Sequence, residues 1–476
     1  MMLGTIFVAY QCLQMVILPI VGLYLVLRRF KGKPVFGNVA QRFGLVPRVS
    51  SSKKSLWLHA VSVGEILAVQ QLVADLKQKN PDAVCYVTTG TVAGYQMACK
   101  FLGADVVSFL PFDFFLPMVM AFKRIRPKAL MIVEADLWPN LIMVARWFKI
   151  PLYLLNARVN PRSKKRMKLF KWLYAQLLNA FEHVFAQSQD DVQAFEELGV
   201  SATKLSVLGN IKAFNVVAKR DQLRPILRQA QDVRATPELC LTHQDGLTAF
   251  RPEPPYVLSL SKDKGAAVVR NHLVLLVGSV HAGELDHYLK LFVTLKPLYP
   301  SLKLVLAPRH FNWLAQLRAS TAATGYASLV WDEHCAQLNN AADPVREIAE
   351  NILQQYDIVS VCVLGKLFGL YQLADIFFLG GTFVPVGGHN LLEPAVWGKP
   401  CIVGPYHANC QDHADRLEQH QALVKVADYN ELEQQVRLLL EHAERRVQAG
   451  ANAANWLGSE AVMVKKNLDQ LFKQLN

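Results

Sequence analysis

The sequence lacks a Cys-x-x-Cys pair and any His/Cys pattern suited to zinc. Its eight cysteines, Cys12, Cys85, Cys99, Cys240, Cys335, Cys362, Cys401 and Cys410, are scattered along the chain. They read as reduced thiols and fit a reducing compartment better than a secreted one. Also absent are the Gly-x-Gly-x-x-Gly dinucleotide spacing, the lysine of a P-loop and an Asp-x-Asp metal motif. Charge is sparse, at 19% of residues against 52% apolar, which excludes a disordered chain. At 476 residues the chain exceeds what one core organises, so two domains are expected.

Acidic residues are scarce in one half only. Residues 1–213 hold 26 Lys and Arg against 12 Asp and Glu, a net of +14 out of +13 for the whole chain. That asymmetry points to an anionic partner met by the first half, such as a phospholipid surface, a phosphorylated lipid or nucleic acid. Met1 to Leu27 carries no charged side chain at all, and it exceeds the ~20 apolar residues that cross a bilayer. Arg28, Arg29, Lys31 and Lys33 follow at once. This predicts a transmembrane anchor over 1–27 with the rest of the chain cytoplasmic. A cleaved signal peptide would need charge before the apolar run and a small-residue site after it.

From Leu56 onward short apolar runs alternate with amphipathic stretches: LWLHAV, VCYVTT, VVSFLPF, ALMIVEA, LYLLNA, HVFAQS and LSVLGN. The rhythm restarts after 271 with LVLLVGS, KLVLAPR, DIFFLGG, CIVGP and ALVKVA. Strands alternating with helices predict two doubly wound α/β domains, 28–218 and 271–476, with ligands at the carboxyl ends of the strands in a cleft between them. The last helix is expected to return to the first domain. Residues 219–270 hold neither period for long and read as an insertion or linker, poorly ordered.

The chemistry-bearing stretches fall at strand ends. Trp57 to Glu65 reads as strand, Ser/Gly turn and helix start, with Glu65 in the first helical turn. There it can take a proton from an attacking hydroxyl or simply stabilise the helix. Glu134 and Asp136 follow another strand, where core packing explains a carboxylate poorly. Asn156-Ala157-Arg158 ends a third. Beyond it, Lys164, Lys168 and Lys171 share one face of a basic amphipathic helix suited to anionic headgroups. In the second half Gly278 to Glu284 opens a helix after a strand. Gly380 to Pro394 brackets a loop with two glycine pairs that would let backbone approach a phosphate, with Glu393 placed to bond ribose hydroxyls.

Taken together these runs resemble the Kdo transferases, a family of GT-B architecture with two Rossmann-like domains. The resemblance is carried by HAVSVGE ending at Glu65, IVEADLWPN at 132–140, NAR at 156–158, AQS at 186–188 and GNIK at 209–212. It continues in GSVHAGE at 278–284, APRH at 307–310 and GGTFVPVGGHNLLEPAVWGKPCIVGPY at 380–406. The resemblance implies an inverting transfer of Kdo from CMP-Kdo to a lipid A precursor at the bacterial inner membrane. Glu65 would be the general base and Glu134 a supporting acid. Ser279, Arg309, Gly387, Gly388, Asn390 and Glu393 would contact the CMP-sugar, and Lys212 would line the cleft floor. Arg158, Lys164, Lys168 and Lys171 would face the acceptor and the anionic membrane surface. No metal, cofactor or nucleic acid is implied. One departure stands out: where the family carries Gly-Glu-Arg-Phe-Gly, this chain has Ala40-Gln41-Arg42-Phe43-Gly44. The competing readings are a GT-B transferase using a UDP-sugar, a sugar-nucleotide epimerase and a non-catalytic membrane adaptor.

Overall fold

A computed structural model describes residues 10–12, 14, 15, 38–134, 137–159, 167–232, 256–257, 269–270, 272–340 and 344–475. The chain forms two compact units, one of residues 1–218 with 459–476 and one of residues 219–458.

Unit 1 is built on seven parallel strands: β1 (Ser55–His59), β2 (Val84–Thr89), β3 (Val106–Phe109), β4 (Pro127–Val133), β5 (Leu152–Ala157), β6 (His183–Ala186) and β7 (Leu205–Val207), in the order β3-β2-β1-β4-β5-β6-β7. Alternate side chains leave opposite faces of a strand, and here both faces are covered. Trp57, Leu130 and Ile132 enter one core, while Leu56, Leu58, Met131 and Val133 enter the other. That explains why these strands read as continuous apolar runs. The second core is completed from far along the chain, by Ala461, Val464, Leu468, Leu471, Phe472 and Leu475 of the helix Ala443–Leu475. Their three- and four-residue spacing makes one apolar stripe. The Asn467 amide donates to the carbonyls of Val207 and Leu208 at 2.7 and 3.3 Å, and the Glu460 carboxylate accepts the Asn210 N–H at 3.2 Å.

A short antiparallel pair, β8 (Tyr256–Val257) and β9 (Val269–Arg270), precedes the second sheet. Unit 2 holds seven more parallel strands: β10 (Leu273–Val280), β11 (Leu302–Pro308), β12 (Ser328–Trp331), β13 (Ile358–Val361), β14 (Ile376–Leu379), β15 (Cys401–Val403) and β16 (Leu423–Lys425), ordered β12-β13-β11-β10-β14-β15-β16. Each sheet therefore has a point where the chain, having wound one way, begins to wind the other: between β1 and β4 in unit 1, and between β10 and β14 in unit 2.

Two expectations change. The helix Ile211–Asp232 runs through the start of the stretch expected to be irregular from 219, and β8 and β9 lie within that stretch. The rest of 219–270 is outside the described residues. The basic helix expected across 164–174 is interrupted at Phe170, where a turn separates Met167–Leu169 from the helix Lys171–Leu178; Lys164 is outside the described residues. Among the described residues no helix is long and apolar enough to cross a membrane. The span expected over 1–27 lies outside them except at Tyr10–Cys12, Gln14 and Met15.

Those few residues have polar partners in unit 1. Tyr10 donates to the Asp113 carboxylate at 2.9 Å, Gln14 to the Asp113 carbonyl at 2.6 Å, and Gln11 to Asn140 Oδ1 at 2.5 Å. Buried Asp113 also accepts the Asn140 and Leu141 N–H groups at 3.1 and 2.9 Å, which satisfies the first turn of the helix Pro139–Trp147. Burial pushes its carboxyl up to about 6.

The departure at Gln41 has a simple structural reading. Buried Gln41 accepts the Phe109 N–H through Oε1 at 2.9 Å, a contact a glutamate oxygen makes equally well. Beside it, Arg42 donates to the carbonyls of Leu110 and Gly90 at 2.9 and 2.5 Å and lies over the Phe109 ring.

Wholly buried His59, at the end of β1, contacts Thr88 O and Oγ1 through Nδ1 at 3.1 and 3.0 Å. Burial, with a small contribution from the Arg42 charge, pushes the imidazole down to about 4. The folded pKa lies below the unfolded one, so the unfolded chain binds the extra proton. Stability from this residue is therefore intact above ~6.5 and falls as pH drops toward 4, by on the order of 3 kcal/mol in full. Denaturant titrations of wild type and His59→Gln at pH 7 and pH 4.5 should show the wild type losing more on acidification. An equal loss in both would mean that His59 does not titrate on unfolding.

Candidate active site

In open α/β sheets ligands bind outside the carboxyl ends of the strands, where the winding direction reverses. In unit 1 the two strands at that point deliver Glu65 and Glu134. After β1 the chain turns at Ser62, whose hydroxyl caps the helix Val63–Ala68 by accepting the Glu65 N–H at 3.4 Å. The half-buried Glu65 carboxylate folds back to accept the Val61 N–H at 2.7 Å and the Ser62 hydroxyl at 2.8 Å. This is a variant of the capping box in which the acid reaches the N–H one residue ahead of the cap. It locks the carboxylate in one orientation at the strand end, and a carboxylate's two oxygens offer about four acceptor positions. Helix capping and base chemistry are thus compatible in one side chain.

Glu134 directly follows β4 with φ 61°, and Asn156 near the end of β5 has φ 55°. Left-handed backbone at non-glycine residues costs roughly 1–2 kcal/mol each. The Glu134 N–H donates to Leu155 O at 2.8 Å, which anchors the turn. Lys212 Nζ stands 3.3 Å from Glu134 Oε1. The Lys212 N–H bonds Asn210 Oδ1 at 2.9 Å, and Asn156 Oδ1 accepts the Ile211 N–H at 3.4 Å. The ends of β4, β5 and β7 are thereby tied together around one acid and one base. Asp136 lies outside the described residues. Arg158 is exposed just beyond β5. Lys168 pairs with Glu197 at 3.0 Å, and Lys171 is exposed beside Trp172.

In unit 2 the loops after β10 and β14 meet. The Gly380 N–H donates to Gly278 O at 2.7 Å, and a Cβ on Gly380 would come within 2.9 Å of Gly278 O and 2.8 Å of Ser279 O. Ser279 occupies a bulge in β10 with φ 59°. Fully buried Glu284 joins the two loops, accepting N–H groups from Gly381 at 2.7 Å, Phe383 at 3.0 Å and His281 at 3.3 Å. Gly387 and Gly388 have φ 99° and 70°, and both donate to Gly381 O, at 3.1 and 3.0 Å. Those two amides are bonded within the loop, so the glycines supply shape here rather than phosphate donors. Exposed Asn390 accepts the Leu392 N–H at 3.0 Å. Half-buried Glu393 lies 3.7 Å from Lys219 Nζ, and burial raises its carboxyl despite that charge. Arg309 is exposed immediately after β11.

Sequence reasoning passed over three histidines. The rings of His281, His310 and His389 cluster beside Arg309, with His281 5.9 Å from His310 and 6.0 Å from His389. The signal was present: His281 directly follows a strand end, His389 a glycine pair, and His310 stands two residues past the end of β11. Among the described residues no group of three or more His, Cys, Asp or Glu side chains is arranged to hold a metal ion.

Two parallel-sheet α/β units, each carrying its polar loops at the reversal point, define a GT-B type of glycosyltransferase fold. A UDP-GlcNAc 2-epimerase from Neisseria meningitidis, solved with UDP-GlcNAc bound, has the same fold: TM-score 0.54 and 13% identity over 87% of this chain and all of that one. Residues 37–215 match the family model described as 3-deoxy-D-manno-octulosonic-acid transferase (kdotransferase). The 3-deoxy-D-manno-octulosonic acid transferase of Chlamydophila psittaci is 26% identical over 91% of this chain and 89% of its own length. That of Aquifex aeolicus is 26% identical over 83% and 88%. Over most of its length the chain is similar to Kdo transferases, with residues 37–215 matching their family model, and it is a glycosyltransferase.

Proposed function

We propose that the protein transfers Kdo from CMP-Kdo to a lipid A precursor with inversion at the anomeric carbon, in lipopolysaccharide synthesis. The observation that carries this reading is the position of Glu65, a carboxylate held by Val61 and Ser62 at the carboxyl end of β1, where the unit 1 sheet reverses. Glu65 takes the proton of the acceptor hydroxyl as its oxygen attacks the anomeric carbon. The bond from that carbon to the CMP phosphate oxygen breaks, and CMP departs with the electron pair. Glu134, paired with Lys212, supports the acceptor side. Ser279, Arg309, Asn390 and Glu393 serve the donor, with Gly387 and Gly388 shaping the loop. The reaction uses no metal.

The protein works at the cytoplasmic face of the inner membrane, anchored through residues 1–27. The exposed Lys168, Leu169, Phe170, Lys171 and Trp172 rest on anionic lipid. Incubating purified protein with CMP-Kdo and a lipid A precursor should give a product heavier by one or more Kdo residues in mass spectrometry. Turnover of a UDP-sugar instead, or of none of these donors, would defeat the reading.

Glu393→Ala should raise KM for CMP-Kdo by about tenfold or more and leave KM for the lipid acceptor nearly unchanged. Equal effects in initial-rate measurements on both substrates would remove Glu393 from the donor site.

A further inference from the structure

The turn that leads from β7 into the helix Ile211–Asp232 is held along its backbone by the last helix. Asn467 donates to the carbonyls of Val207 and Leu208, and the half-buried Glu460 carboxylate accepts the Asn210 N–H at 3.2 Å through Oε2. Gly209 lies between these contacts with φ 93°, and a Cβ there would stand 2.8 Å from both Met463 Cε and Val464 Cγ2. Glu460, Met463, Val464 and Asn467 share one face of the helix Ala443–Leu475, by their three- and four-residue spacing. The turn therefore has no slack against that face.

This turn carries half of the ion pair at the end of β4. Buried Asn210 caps the helix that follows: its Oδ1 accepts the Lys212 N–H at 2.9 Å, and its carbonyl accepts the Phe214 N–H at 3.2 Å. Lys212 is thereby fixed in the first helical turn. Helix stability does not favour a lysine there, because the positive end of the helix dipole opposes an ammonium. Its partner lies outside the helix: Lys212 Nζ stands 3.3 Å from Oε1 of Glu134, whose own backbone has φ 61°. The Glu460 carboxylate, at the same helix end, supplies negative charge where Lys212 adds positive.

We infer that Glu460 is a positioning residue for the transfer: through Asn210 it sets where Lys212 stands, and so how the Glu134 carboxylate is held at the end of β4. The inference rests on the acceptor-side role proposed above for Glu134 and Lys212, and it adds a residue from the far end of the chain that acts through them. The connection runs from Glu460 Oε2 to the Asn210 N–H, from Asn210 Oδ1 to the Lys212 N–H, and from Lys212 Nζ to Glu134 Oε1. No proton moves along it; it fixes geometry alone.

The test combines initial-rate kinetics with hydrogen exchange on the full-length protein. In Glu460→Ala, kcat/KM for a lipid A precursor should fall about 10- to 100-fold, the cost of displacing a reacting group's support by about 1 Å, with KM for CMP-Kdo unchanged. Glu460→Gln, whose amide oxygen accepts the same N–H, should recover most of that loss. In a Lys212→Met background Glu460→Ala should cost less than about threefold, because the side chain it positions is already gone. A Glu460 that serves only the packing of the helix would cost the same in both backgrounds; that result, or equal losses for the two substrates, overturns the inference. Glu460→Asp, one methylene shorter, should behave as the alanine variant does and serves if that variant does not fold. Deuterium uptake separates the inference from the transferase reading. The amides of Asn210, Ile211 and Lys212 should exchange at least about tenfold faster in Glu460→Ala, with those of β1 and β4 unchanged. Unaltered exchange at these three amides overturns the positioning role whatever the substrate. A wild-type protein that transfers nothing from CMP-Kdo would instead bring down the reading of the reaction, and with it the role assigned to Glu460.

Discussion

Glu65→Gln is expected to lower turnover by about 100- to 10,000-fold, the usual worth of a general base, while the fold and CMP affinity survive. The local geometry makes this a clean experiment. Glu65 Oε2 accepts a backbone N–H from Val61, and the amide oxygen of glutamine can take that bond over. Oε1 meets the Ser62 hydroxyl, which can rotate to accept from the new amide nitrogen. The helix start therefore keeps its cap, and only the ability to take a proton is removed. A purely structural Glu65 would cost at most about 1 kcal/mol through the helix dipole. Single-turnover rates near wild type in a folded Glu65→Gln protein would end the case for this base and shift it to Glu134.

The same change at Glu284 should behave in the opposite way. Glu284→Ala is expected to destabilise unit 2 by about 3 kcal/mol or more, because three backbone N–H groups lose a buried charged acceptor. Glu284→Gln should be nearly as harmful. All three donors are backbone N–H groups that cannot turn round, so whichever oxygen becomes an amide nitrogen faces a donor with a donor. Urea unfolding reports the loss directly. A Gln variant within about 1 kcal/mol of wild type would show that the two loops are joined by something other than this carboxylate.

Much of this architecture is legible in the sequence because both faces of each sheet are covered, so a strand appears as a short unbroken apolar run. All seven strands of unit 1 coincide with such runs. In unit 2, β12 and β13 escaped notice. β13 places Ser360, itself buried, within the run. The motif glutamates are readable as residues at strand ends, but their partners are not. Spacing suggests that Gly387 and Gly388 let backbone approach a phosphate, whereas in the fold Gly381 O takes both of their amides. Histidine gives little pattern signal of its own, and His281, His310 and His389 converge from three segments, the outer two 108 residues apart. The run of Lys164, Lys168 and Lys171 looks like one helical face only if the helix is continuous, and the turn at Phe170 interrupts it.

The return of the last helix to unit 1 has a consequence for how the protein is made. Residues 1–218 leave the ribosome with the face later covered by Ala461, Val464, Leu468, Leu471 and Phe472 still open. Residues 219–458 must be synthesised before that face can close, which takes roughly 10–50 s at bacterial elongation rates. During that interval the nascent first domain exposes an apolar strip, a natural binding site for a ribosome-associated chaperone. Stalled chains ending at residue 458 should be cut within 1–218 by added protease far faster than chains extended through residue 475. Equal resistance would mean that unit 1 closes without its distant strip.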